Sequence, residues 1–136
     1  MRSFLSHLEC TACHRPFSAE EVQTVCPTCG KVLYPRYDLE GARRAVDPKV
    51  VAGRPRSLWR WFEVLPVRNP AHIVSLGEGD TPLLPAPRLG ARLGCPRLYI
   101  KDESVNPTGT FKARGQAVAV SRAKELGVRG LVIPSA

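Results

Sequence analysis

Four of the five cysteines in this 136-residue chain fall in two pairs, Cys10-x-x-Cys13 and Cys26-x-x-Cys29, with twelve residues between the pairs. Each pair fits a tight turn that aims two thiolates at one centre, and two such turns complete a tetrahedron. Zinc favours that donor set, and four protein ligands leave no position for water, so such a site is structural. Gly30, directly after Cys29, suits a knuckle that must turn without steric cost. Iron is the competing metal, and disulfides or free thiols are the remaining readings. Four thiolates already suffice, so His7 and His14 are read as surface residues. Cys95 has no partner at a useful spacing and is read as a small buried apolar residue.

The surroundings of the pairs limit the classes of function. No run of about 18 apolar residues is present, so nothing is expected to span a membrane. The first residues, Met1-Arg2-Ser3-Phe4-Leu5, lead straight to the first cysteine pair with no long apolar stretch, unlike a signal peptide. A reducing, cytoplasmic setting is expected, where paired cysteines hold metal more often than they form disulfides. The net charge of +8 raises the question of nucleic acid. Basic and acidic residues balance at three each over residues 1–35, stand at eight to four over 36–68, and at nine to five from 69 onward. A nucleic-acid surface needs a clustered stripe of charge. A spread excess fits a solvated surface or a preference for phosphorylated substrates equally well, so charge alone decides nothing.

Composition separates three stretches, with thirteen prolines and eleven glycines marking many turns. Residues 1–35 are expected to form a ribbon, with small strands at Thr24-Val25 and Lys31–Tyr34. Residues 36–75 read as a connector with one amphipathic helix, because Leu58, Trp61, Phe62 and Leu65 recur at i, i+3, i+4 and i+7. Ser57 is its expected N-cap and Pro66 its stop, and its aromatics are assigned to core packing. Asp47-Pro48, Arg54-Pro55 and Asn69-Pro70 read as turns around it. Residues 76–136 alternate: a strand over Arg97–Asp102, a helix from about Phe111 to Leu126 capped by Gly127, and a short strand at Leu131–Ile133. That order predicts an α/β fold with a βαβ unit, a parallel sheet and a right-handed crossover. Ligands of such sheets bind beyond the C-terminal strand ends.

The run Asn106-Pro107-Thr108-Gly109-Thr110-Phe111-Lys112 places a lysine after a glycine-containing loop and at a helix start. The positive end of the helix dipole disfavours an ammonium there, and shelter from water would favour the neutral amine further. A neutral amine is what Schiff-base chemistry requires. The plainer reading is a surface lysine in a first turn, and physical chemistry alone leaves both open. Asn106, Thr108 and Thr110 can offer hydrogen bonds to a substrate or cofactor, or can simply shape the turn.

This run closely resembles the cofactor-attachment motif of threonine synthases, which are fold-type II pyridoxal-phosphate (PLP) enzymes. Gly77-Glu78-Gly79-Asp80-Thr81-Pro82-Leu83 resembles the stretch ahead of that family's PLP domain. The run from Leu58 to Pro66 resembles its aromatic N-terminal helix, and several members begin with a four-cysteine ribbon. The resemblance implies a zinc ribbon (1–35), a connector (36–75) and the start of a fold-type II PLP domain (76–136). It also implies that Lys112 binds PLP covalently and serves as the catalytic base, and that zinc sits on Cys10, Cys13, Cys26 and Cys29. The implied reaction turns O-phosphohomoserine and water into threonine and phosphate, in a homo-oligomer with small-molecule substrates and no nucleic-acid or membrane partner. One departure stands out: the family motif has aspartate after the lysine, whereas this chain has Ala113. Threonine and serine dehydratases of the same fold also lack that aspartate, which makes them the alternative; a zinc-ribbon module binding nucleic acid is a more distant one. In the family, an asparagine-bearing turn, a phosphate-binding glycine loop and the ring-nitrogen partner come after a strand like Leu131–Ile133. A chain ending at Ala136 is therefore expected to be a truncated fragment, inactive by itself.

Overall fold

The computed structural model describes residues 1–133. Pro134, Ser135 and Ala136, where the family resemblance implies the opening of a cofactor-binding turn, lie outside the described residues.

Strand β1 (Leu5–Cys10) is the centre of a three-stranded antiparallel sheet, flanked by β2 (Pro16–Phe17) and β3 (Leu33–Tyr37) in the order β2-β1-β3. A bridge between Val25 and Val32 extends the ribbon toward the second cysteine pair, near both small strands expected from sequence. The ribbon is tied to the connector by its first residues. The Phe4 amide donates to the Glu63 carbonyl at 2.9 Å, and the Asp38 amide to the Phe4 carbonyl at 2.9 Å.

The connector begins with two short helices, α1 (Leu39–Ala45) and α2 (Pro48–Ala52). Asp38 caps α1 by accepting the Gly41 amide at 2.8 Å, and Asp47 caps α2 by accepting the Lys49 amide at 2.8 Å. Asp47-Pro48, expected as a turn, is thus a capped helix start with proline in the first turn.

The amphipathic segment departs from expectation in pitch. Leu58–Val64 is a 3₁₀ helix, kinked at Trp61, and Ser57 precedes it without a side-chain cap bond. The Arg60 carbonyl, which an α-helix would offer to Val64, accepts the Arg54 guanidinium at 2.7 Å. The Leu58 amide is drawn to the Glu78 carbonyl at 3.0 Å. With three residues per turn, the inward row becomes Trp59, Phe62 and Leu65. Trp59 and Phe62 are buried, whereas Trp61, which the 3.6-residue period assigned inward, is 53% exposed. Phe62, Trp59 and Val67 form the buried apolar cluster, against which Ala117 and Val118 pack.

Strand β4 (Leu83–Pro85) pairs antiparallel with β5 (Tyr99–Lys101), and α3 (Pro87–Arg92) lies between them in the chain. Strand β5 falls inside the expected Arg97–Asp102 strand. Residues 131–133 have no strand pairing in the described structure, and among the described residues β5 has no parallel neighbour. The fold is mixed α/β. Cys95, expected to be buried, is exposed; its carbonyl lies where a side chain on Gly90 would have to go.

Helix α4 (Lys112–Glu125) ends as the sequence indicates. The Gly127 amide donates to the Lys124 carbonyl at 3.1 Å and the Val128 amide to the Ala123 carbonyl at 3.0 Å. This is the paired bonding of a Schellman cap. No helix among the described residues is long and apolar enough to cross a membrane.

Candidate functional site

The four cysteines form the first candidate centre. Their sulfurs all lie within 4.8 Å of one another. Cys10 and Cys29 are 3.4 Å apart, and Cys13 and Cys26 are 3.6 Å apart. A tetrahedron of zinc–sulfur bonds near 2.3 Å sets its sulfurs about 3.8 Å apart, so the donor set fits a single metal ion. The two knuckles repeat one backbone pattern. The Cys10 amide donates to Arg15 and the Cys26 amide to Lys31; the His14 amide donates back to Cys10 and the Gly30 amide back to Cys26. The residue after each second cysteine, His14 or Gly30, takes a positive φ (56° and 68°). That geometry suits Gly30, and it turns the His14 ring outward to Glu9 at 3.1 Å, away from the sulfurs. His7 contacts Ser6. Neither histidine joins the cluster.

The electrostatics of the four thiols are uneven. Amide N–H groups of Cys13 and Ala12 pull the Cys10 thiol down to about 6. Burial opposes ionisation of Cys26, but the amides of Thr28 and Cys29 outweigh it and lower its pKa. The Lys31 amide lowers Cys29, yet the adjacent Cys10 thiol, burial and Cys26 drive it up to about 11. A cation at the centre of the cluster would favour the thiolate form of all four.

The second centre surrounds Lys112, the first residue of α4, which is partly buried. Its amide donates to Thr110 Oγ1 at 3.2 Å, an exposed side-chain turn closing the loop. Thr108 Oγ1 reaches the Thr110 carbonyl at 3.5 Å, also exposed. Asn106 is buried and fully committed. Its Nδ2 donates to the Glu103 carbonyl at 3.0 Å and to Glu103 Oε2 at 2.9 Å, while its Oδ1 accepts the Gly79 amide at 3.1 Å. Both donors are spent on shaping the loop. A cavity of about 380 Å³ borders the next turn, lined by Thr108, Ala113 and Gln116 together with Leu76 and Glu78. Ala113 itself is buried.

Two carboxylates unread in the sequence organise this region. Glu78 is fully buried and accepts Trp59 Nε1 at 2.8 Å, the Leu76 amide at 2.8 Å and the Ser75 hydroxyl. The next residue, Gly79 (φ 108°), lies so close to the 3₁₀ segment that a Cβ would stand 2.5 Å from the Leu58 nitrogen. Glu103 takes a two-pronged contact from Arg114, at 2.7 and 2.8 Å, and accepts the Thr81 hydroxyl at 2.6 Å. Arg114, then Thr81 and Asn106, hold the Glu103 carboxyl down at about 2. The segment 77–83, legible in the sequence only as a family resemblance, is therefore the bracket between the aromatic segment and the lysine loop.

A last set of contacts runs from the ribbon to the far end of α4. Arg122 donates to the Ala19 carbonyl at 2.5 Å and pairs with Glu125. Glu20 pairs with Arg68 at 2.6 Å, and Glu125 accepts the amides of Arg68 and Asn69. Ser121, fully buried, accepts the Val74 amide at 2.8 Å.

Residues 74–136 match the profile of the family described as pyridoxal-phosphate dependent enzyme. Among curated proteins, the chain is 42% identical over 119 residues to a threonine synthase of Methanocaldococcus jannaschii, covering 88% of this chain and 29% of that protein. It is 37% identical over 130 residues to a threonine synthase of Methanosarcina acetivorans, covering 95% of this chain and 31% of the relative. A threonine synthase of Synechocystis is 41% identical over 92 residues, covering 66% of this chain and 24% of that protein. The chain thus spans about three tenths of the length of the first two relatives. No solved structure gives a significant match.

Proposed function

We infer, on the premise that the chain is threonine synthase-like and related through residues 74–136 to the pyridoxal-phosphate dependent enzymes, that it forms part of an enzyme making threonine and phosphate from O-phosphohomoserine and water. The observation that carries the reading is the position of Lys112: first in α4, behind a loop held by a buried asparagine, in a segment that matches the family. When bound, PLP supplies the electron sink that makes protons beside the amino-bearing carbon removable. Lys112 would hold the cofactor, and its amine would move protons at Cα and Cβ of the substrate. The exposed hydroxyls of Thr108 and Thr110 face solvent beside it and can meet substrate, whereas Asn106 supports the loop.

In this reading residues 1–35 are a zinc ribbon with Cys10, Cys13, Cys26 and Cys29 as ligands, residues 36–75 a connector, and 76–136 the start of a fold-type II domain whose parallel sheet β5 would join. The exposure of Leu83, Leu84, Tyr99 and Ile100 on the β4-β5 pair supports further packing there. The enzyme is expected to be cytoplasmic and homo-oligomeric, with no nucleic-acid partner.

The test is chemical. The full-length protein with PLP should absorb in the visible, and borohydride should bleach that band and leave the label on Lys112, with Lys101 and Lys124 unlabelled. Lys112→Ala should abolish turnover and leave metal content unchanged. Label recovered on another lysine would refute the assignment. Release of ammonia from threonine, in place of phosphate from O-phosphohomoserine, would move the activity to the dehydratases, which also lack an aspartate after the lysine.

A further inference from the structure

The loop that carries Lys112 is largely exposed. Val105 is 57% exposed and Phe111 65% exposed, so neither apolar residue anchors it. Bonds within it among the described residues include the Gly109 amide to the Asn106 carbonyl at 2.7 Å, the Ala113 amide to the Thr110 carbonyl at 3.3 Å and the exposed threonine contacts already described. What fixes it lies at its base. Glu103 stands before the loop and Arg114 after it, and the two join through a pair of nearly parallel bonds at 2.7 and 2.8 Å. Their side chains are 23% and 29% exposed.

An isolated pair at the surface would be worth little. This pair is part of a closed network. Thr81, itself buried, donates to Glu103 and accepts from Arg114 at 3.1 Å, and the Lys101 ammonium donates to the Thr81 carbonyl. Asn106 adds its bond to the same Glu103 carboxylate. Arg114 is two residues beyond Lys112, about 3 Å along the axis and roughly on the opposite side of the helix. It therefore does not act by touching Lys112. A planar guanidinium fork held at two points resists rotation, so it fixes the roll of the first turn of α4, and that roll sets where the Lys112 amine points.

We propose that Glu103 and Arg114, with Thr81 as their buried brace, are positioning residues for Lys112: a clamp across the base of the lysine loop that holds the amine in register for covalent attachment of its carbonyl partner. The assignment of a role to Lys112 rests on the function proposed above; the clamp itself is a statement about the loop and can be read without cofactor.

The experiment uses the full-length protein and the variants Glu103→Gln, Arg114→Lys and both together. Two quantities are measured besides turnover: amide hydrogen exchange of residues 107–112 without cofactor, and the rate at which added pyridoxal phosphate, trapped with borohydride, labels Lys112. Each single variant should accelerate exchange in 107–112 and slow labelling by about tenfold or more. The double variant should be no worse than the worse single, because both break one device. Arg43→Ala, which opens only the exposed pair with Glu40, should change neither rate. If labelling stays at the unsubstituted rate while thermal stability falls, the pair is structural only and the proposal is overturned; additive effects in the double would overturn it as well. Should a single variant fail to fold, Thr81→Val removes the brace alone, and a shift of both rates in the same direction supports the clamp while unchanged rates overturn it. Label found elsewhere than Lys112 in the unsubstituted protein would refute the proposed function, with loop exchange still judging the clamp.

Discussion

Residues 5–37 and residues 74–126 are each built around a cluster of polar groups, and they differ in where compensating charge can come from. In the ribbon, four sulfurs converge within 4.8 Å of one another, and an ion placed among them would have to arrive from outside the chain. Around the lysine loop the chain balances itself: Arg114 answers Glu103, and in the connector Arg54 answers Glu63 through bonds of 2.7 Å. With zinc as proposed, the first region is conditional on a supplied ion, whereas the Glu103–Arg114 and Glu63–Arg54 pairs are supplied by the chain itself.

Metal removal should break the comparison most widely. Chelation is expected to cost the ribbon on the order of 10 kcal/mol of apparent stabilisation, seen as loss of amide protection over residues 5–37 with protection over 112–120 retained. Cys26→Ser should reproduce this with metal content well below one ion per chain, while His14→Ala, at an exposed side chain, should leave metal content unchanged. Equal loss of protection in both regions would show that they are not independent.

A smaller effect is expected at Glu78. Glu78→Ala leaves the buried Trp59 Nε1 without its acceptor, at about 1–3 kcal/mol for a buried unsatisfied group. The measurement is the denaturation midpoint of the metal-loaded protein, read by tryptophan fluorescence. Unaltered metal content would confine the damage to the second region.

Acid provides the finest probe. Glu103 has its folded pKa depressed from 4.5 to about 2, so its contribution is fully present above 4.5 and is lost as pH falls through about 2. Hydrogen exchange at 103–114 should rise across that window in the unsubstituted protein, and Glu103→Gln should flatten the rise. A rise of the same size in the variant would assign the transition to another group.

These contrasts parallel what the sequence made legible. The cysteine spacing, the lysine at a helix start and the Gly127 cap are local patterns, and each appears where local rules place it. Asp38 and Asp47-Pro48 carried equally local cap signals for α1 and α2, and reading the second as a turn missed a helix. The 3₁₀ segment was beyond such rules, because its pitch is set by Arg54 and Glu78 reaching its backbone from elsewhere. Glu103 and Arg114 were unread for a related reason. Eleven positions apart and on different elements, they share no periodicity, and only the folded loop brings them together.

The bond from Arg122 to the Ala19 carbonyl joins residues 103 positions apart. Closing so long a loop carries an entropic cost that is repaid only after both ends are ordered. Residues 5–37 leave the ribosome before Arg122 does, so the ribbon can be complete before Arg122 has been added to the chain. Docking of α4 against residues 19–20 is then a late event in folding, the joining of two finished pieces. A substitution at Arg122 should accordingly speed undocking while scarcely altering how fast either piece forms.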